Sequence, residues 1–217
     1  MPAELPWVEA AGRLAGLVEA AHGARVLLGI VGVPGAGKST LAEHLVARAQ
    51  ADGVSAVNVP MDGYHLADVE LERLGRRDRK GAIDTFDGHG YLGMLRRVAA
   101  DDGTIVYAPT FERDLEQPIA GAIAVLPEHR LVVTEGNYLL DADDPWPELA
   151  GVLTEVWAVV GDDEVRRSWL VARHIEFGKT PDAAAAWVAA VDEPNAARIR
   201  ARMVSADVLV VQPAPGR

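Results

Sequence analysis

Short apolar runs alternate along the chain with longer segments in which apolar residues recur every third or fourth position. "RVLLGIV" at 25–31 is a continuous apolar run beside glycine and predicts a buried strand. In "KSTLAEHLVARAQADG", Leu41, Leu45 and Val46 fall at helical spacing and Gly53 stops the pattern, so a helix is expected there. "VSAVNVP" at 54–60 reads as a second strand, 66–75 as a short helix ending at Gly75, and the charged stretch 76–88 as a loop. Residues 90–103 read as a helix. "TIVYAP" and "AIAVLP" read as two short strands separated by "TFERDLEQP". "RLVVTEG" at 130–136, "LTEVWAVV" at 153–160 and "ADVLVV" near the end complete the strands. "DEVRRSWLVARHIEFG" and the stretch 181–204 supply the later helices, with Trp169 and Trp187 in apolar patterns expected in the core. The first 23 residues read as an amphipathic helix and 212–217 as a loose tail.

Apolar strands alternating with helices predict an α/β fold, a parallel sheet covered on both faces. At 217 residues the chain is expected to form one domain, with no repeat and no linker dividing it. It contains no cysteine, which excludes disulfides, thiolate catalysis and cysteine-held metals. The N-terminus lacks a basic region followed by an apolar core, and no apolar run is long enough to span a bilayer, so a cytoplasmic location is expected. A net charge of −11 argues against an extended nucleic-acid surface. The basic residues cluster instead, at 73–80, at 166–173 and at 198–202, as suits a small anionic ligand or solvated helix faces. Six histidines show no metal-ligand spacing.

"GVPGAGKST" at 32–40 fits the phosphate-loop pattern G-x-x-x-x-G-K-[ST], with a strand before it and a helix after it. Glycines let successive backbone N–H groups converge on a phosphate, and the helix N-terminus adds positive potential. Gly32, Val33, Pro34, Gly35, Ala36, Gly37, Lys38, Ser39 and Thr40 are therefore expected to bind ATP. Lys38 would meet the β/γ-phosphates, and the Ser39 hydroxyl would meet Mg²⁺. The chain has only three lysines against eighteen arginines, yet lysine stands at this position. "FGKT" at 177–180 repeats part of the motif but lacks the first glycine and follows a helix, so it reads as a loop between helices.

Glu135 ends a buried strand, where an acid in a phosphate-loop protein can hold the metal. Asp62, in "PMDGYHL", follows the second strand about 25 residues after Gly37. In open parallel sheets ligands bind at the carboxyl ends of the strands, which would bring both acids to the γ-phosphate. Asp-Gly is also a common turn pair, and residue logic alone leaves Asp62 open between turn residue and base.

The segments "GVPGAGKST", "PMDGYHL", "RKGAIDTFD", "PTFERDLEQPI" and "VTEGNYLL" occur in this order. Together they resemble the uridine kinase, phosphoribulokinase and bacterial pantothenate kinase superfamily, closest to the fructose-transport-system kinase and nucleoside/nucleotide kinase type. The resemblance covers about residues 25–211 and implies a three-layer phosphate-loop fold with a small helical lid at 163–180. It implies a kinase using ATP and Mg²⁺ that acts on a small-molecule hydroxyl. In that comparison Asp62 matches the base and Glu135 the acid near the metal. Asp84, with Lys80 nearby, would line the acceptor pocket. Arg113 would approach the acceptor or the transferring group. Arg173 would be the lid arginine, with Arg167 and His174 behind it. His65 would contact the acceptor or brace its loop, and Tyr64 and Tyr138 would be pocket walls or core. The chain lacks the segment that follows the base in uridine kinases and the long C-terminal region of pantothenate kinases, so the acceptor stays open among sugars, nucleosides, glycerate and pantothenate-like alcohols. A regulatory nucleotide switch acting through a protein partner is the other reading. No guanine-reading Asn-Lys-x-Asp pattern supports it, and it gives Tyr64, His65 and Asp84 no purpose. A homodimer is expected as the common state of soluble enzymes.

Overall fold

Most of the apolar runs become the strands of a parallel sheet in a computed structural model, which describes residues 2–213. Six strands lie in the order β1-β8-β7-β2-β6-β3. They are β1 (Ala3–Pro6), β2 (Val26–Val31), β3 (Ala56–Asn58), β6 (Leu131–Gly136), β7 (Glu155–Val160) and β8 (Val208–Val211). Every neighbouring pair runs parallel. All six residues of β2 and of β6 are buried, as expected of strands covered on both faces. The flanking helices are α1 (Ala10–Ala20), α2 (Lys38–Ala51), α3 (Asp68–Leu74), α4 (Gly88–Ala100), α5 (Asp163–Glu176), α6 (Pro181–Trp187) and α7 (Glu193–Met203). No helix among the described residues is long and apolar enough to cross a membrane.

Four expectations change. The N-terminal helix begins only at Ala10, because residues 3–6 instead add β1 to the sheet edge beside β8. Pro6 can end such a strand because an edge leaves one side of the ladder free. The runs "TIVYAP" and "AIAVLP" do not join the parallel sheet. They extend into the polar stretch between them as an antiparallel hairpin, β4 (Val106–Glu112) and β5 (Gln117–Val125). Its register shifts between Ala108 and Thr110, at Pro109, which has no N–H to give to the ladder. Trp169 is 48% exposed and not in the core, and Trp187 is half-buried against His174 and Lys179. Finally, Gln212 is not loose. Its backbone N–H donates to Val160 and its side-chain amide to Ala36, 2.8 Å in each case. The rest of the expected tail, 214–217, lies outside the described residues.

Candidate active site

The loop between β2 and α2 carries the phosphate-binding motif at the centre of the sheet's carboxyl edge. Gly37 takes a left-handed conformation, φ 80°, and hands the chain to the N-terminus of α2. Lys38 is buried and its Nζ donates to the Val33 carbonyl at 3.2 Å. Burial lowers the Lys38 pKa, and the carboxylates of Glu135 and Asp62 oppose that fall.

Glu135 comes from β6, where it pairs in register with Ile30 of β2. Its carboxylate accepts a 2.8 Å hydrogen bond from the Ser39 hydroxyl. Burial raises its pKa and Asp62 raises it further, while Lys38, Ser39 and Arg113 pull it down. A hydroxyl and a carboxylate beside a phosphate site form the donor set that Mg²⁺ takes from protein when phosphates and water complete its shell. Ser39 and Glu135 therefore fit Mg²⁺, and Asp62 lies near enough to Glu135 to raise its pKa.

Asp62 stands in a 3-10 turn, Met61–Tyr64, after β3. The turn is held by two bonds to the Asp62 carbonyl, from the His65 N–H at 3.1 Å and from the His65 ring Nδ1 at 2.7 Å. Two glycines set its place. A Cβ on Gly63 would lie 2.4 Å from the Pro109 carbonyl oxygen, so only glycine lets the hairpin come this close. A Cβ on Gly136 would lie 2.6 Å from the Cβ of Met61, so the end of β6 can pass against the Asp62 turn. Beneath them the Thr134 hydroxyl bonds the Val59 carbonyl and the Tyr91 hydroxyl, 2.6 Å each, tying β6 and α4 to the segment that leads to Asp62. The Asp62 side chain accepts no hydrogen bond among the described residues, and Arg113 from the hairpin turn approaches it at 3.7 Å.

The remaining expected residues fall into two groups. His65 is wedged between Phe86 and Phe111, with ring centroids 4.0 and 4.8 Å away, and burial lowers its pKa. Lys80 lies 5.2 Å over Phe111 and pairs with Asp68 at 2.7 Å. Arg113 thus approaches the Asp62 carboxylate and the His65 ring holds its carbonyl, while Lys80 and Phe111 lie on the far side of the His65 ring. Asp84 is turned to other partners: Arg79 holds it at 2.7 Å and Arg76 at 3.3 Å. Tyr64 packs edge-on against Tyr91, and burial pushes its phenol up to about 12. Tyr138 is buried and donates to the Gly81 carbonyl at 2.7 Å, so it props the 81–84 turn.

Helix α5 is capped by Asp162, whose carboxylate accepts from the N–H groups of Glu164 and Val165. Arg173 from this helix faces a cavity of about 540 Å³ with Lys38, Ser39 and Arg113 on its walls. Arg167 and His174 turn away, to Glu193 and Asp192. Sequence reasoning missed two supports of the phosphate loop. Buried Arg166 donates to the Pro34 carbonyl at 3.1 Å and is held by Asp163 and Glu193. Gln212 holds Ala36 from the other side. Arg166, Leu170 and Arg173 recur at helical spacing, a signal that could have shown which arginines face the loop.

No family model matches the chain. It is 31% identical over 199 residues to a Schizosaccharomyces pombe protein assigned as a uridine kinase, covering 88% of this chain and 85% of that one. It is 33% identical over 195 residues to YggC of Escherichia coli, covering 89% and 80%. The crystal structure of a protein assigned as a fructose transport system kinase, from Silicibacter sp. TM1040, superposes with a TM-score of 0.79 at 35% identity, covering 90% and 98%.

Proposed function

The chain belongs to the uridine kinase-like superfamily of P-loop kinases, and on that premise we propose that it transfers the γ-phosphoryl group of ATP to a hydroxyl of a small molecule, with Asp62 as general base. The observation that carries this reading is the freedom of Asp62. Neighbouring acids are occupied: Asp68 by Lys80, Asp84 by Arg76 and Arg79, Asp87 by the N–H of Gly90 at the start of α4. Among the described residues the Asp62 carboxylate alone of these accepts no hydrogen bond, its one partner Arg113 standing off at 3.7 Å, and it lies near enough to Lys38 and Glu135 to shift both. A carboxylate so placed can take the proton of an attacking hydroxyl.

The other groups divide the work. The phosphate-loop backbone and Lys38 would hold the triphosphate, and Arg173 would add charge from the lid formed by 163–180. Ser39 and Glu135 would hold Mg²⁺, which when bound supplies positive charge to the phosphate oxygens. Arg113 would orient Asp62 or meet the transferring group. His65 fixes the Asp62 turn and, with Lys80 and Phe111, would border the acceptor. Closure of the lid would keep water from taking the acceptor's place.

A coupled ADP-release screen over sugars, nucleosides and small hydroxy acids finds the acceptor and tests the assignment. Asp62→Asn should bind ATP as the unaltered protein does and lose acceptor-dependent turnover by roughly 10²-fold or more. A variant that keeps most of its turnover would remove Asp62 from the role of base.

A further inference from the structure

The phosphate loop explains only part of the lining of its cavity. Another part is aromatic. Trp169 is 48% exposed and Phe177 43% exposed, and both line the cavity together with half-buried Trp7. Single exposed apolar side chains are ordinary on a protein surface. Three aromatic side chains on the walls of one charged cavity are a different matter, because water then wets rings that a planar ligand could cover.

Trp169 is also held in place. A Cβ on Gly35 would lie 2.8 Å from Leu170 Cγ and 3.2 Å from Arg166 Cγ, so α5 rests directly on the phosphate loop. Arg166 locks that contact through the Pro34 carbonyl. Trp169 and Arg173 are four residues apart, on one face of α5. The helix therefore offers a cation and an indole to one cavity, one turn apart.

We infer that Trp169 is the stacking platform for the nucleobase of ATP. This rests on the kinase reading for the triphosphate and adds a base site to it. A triphosphate on the loop leaves the base to extend along the cavity, and the indole face is the flat apolar surface that α5 presents there. Aromatic stacking on a base tolerates any base, so affinity and not base choice is what Trp169 would supply.

The test needs no acceptor. Mg²⁺–ATP and Mg²⁺–tripolyphosphate are titrated calorimetrically into the unaltered protein, Trp169→Ala and Trp169→Phe. Trp169→Ala should weaken ATP roughly 5- to 100-fold and leave tripolyphosphate within about twofold, with Trp169→Phe in between for ATP. Unchanged ATP affinity in Trp169→Ala, with tripolyphosphate still bound, overturns the base site and leaves the kinase reading standing. An equal loss of both ligands assigns Trp169 a scaffold role and also overturns it. If the unaltered protein binds neither, the phosphate-loop reading falls, and the base site with it.

Discussion

Adding one methyl group at Gly63 should damage the protein in two measurable ways. The new Cβ of Gly63→Ala would sit 2.4 Å from the Pro109 carbonyl oxygen and 2.7 Å from its carbonyl carbon. Both atoms are backbone, so no side chain can swing aside. Restoring an ordinary contact needs a shift of about 1 Å, shared between the Asp62 turn and the hairpin. Overpacking of this kind costs about 1–3 kcal/mol, which for a chain of this length lowers the Tm by roughly 2–12 °C. The same shift moves Asp62, and a 1 Å error in a reacting group can cost on the order of 10²-fold in rate. Calorimetric melting measures the first effect without any acceptor. The ADP-release assay measures the second, and nucleotide titration should show affinity unchanged, since the phosphate loop is not touched. A Gly63→Ala protein that melts with the unaltered one and turns over at the same rate would refute the reasoning.

Lys38→Ala should weaken ATP roughly 10- to 100-fold by calorimetry, because a charged donor to phosphate is lost. Stability should also depend on pH through His65. Burial holds its folded pKa below 6.5, although Asp62 and Glu116 oppose the fall and Lys80 reinforces it. The unfolded chain therefore binds a proton that the folded one refuses as pH drops through 6.5. Stability present above that pH should be lost below it, and the Tm measured from pH 7.5 to 5.5 should fall. His129, lowered by burial in the same way, adds to the slope. In His65→Gln the slope should be shallower, and an unchanged slope would assign it to other groups.

Much of the sheet was legible because buried strands announce themselves. "RVLLGIV" and "RLVVTEG" are continuous apolar runs, and both became central strands. The phosphate loop was legible because its glycine spacing has few other uses. The two strands of the hairpin were legible as short apolar runs, but their antiparallel pairing outside the main sheet was not, since 110–112 and 117–118, which extend them towards each other, read as loop. Trp169 misled for a related reason: apolar periodicity on α5 reports one packed face, and it cannot say whether that face meets a core or a cavity. Gly63 shows the limit most clearly. Its place after Asp62 suggests a turn, but its φ is not left-handed, and what demands glycine is Pro109, 46 positions later in the sequence.

The pairing of β1 with β8 bears on how the protein is made. Ala3 finds its partner in Val208, and Gln212 reaches back 176 positions to Ala36. On a ribosome β1 therefore waits 205 positions, from Ala3 to Val208, for its neighbour. The phosphate loop likewise waits for its last brace. Contacts so distant in sequence are slow to close, and they expose apolar edges in the interval. Nascent chains shorter than about residue 212 would carry the nucleotide motif without its full support, so the loop is fully braced only after Gln212 has emerged.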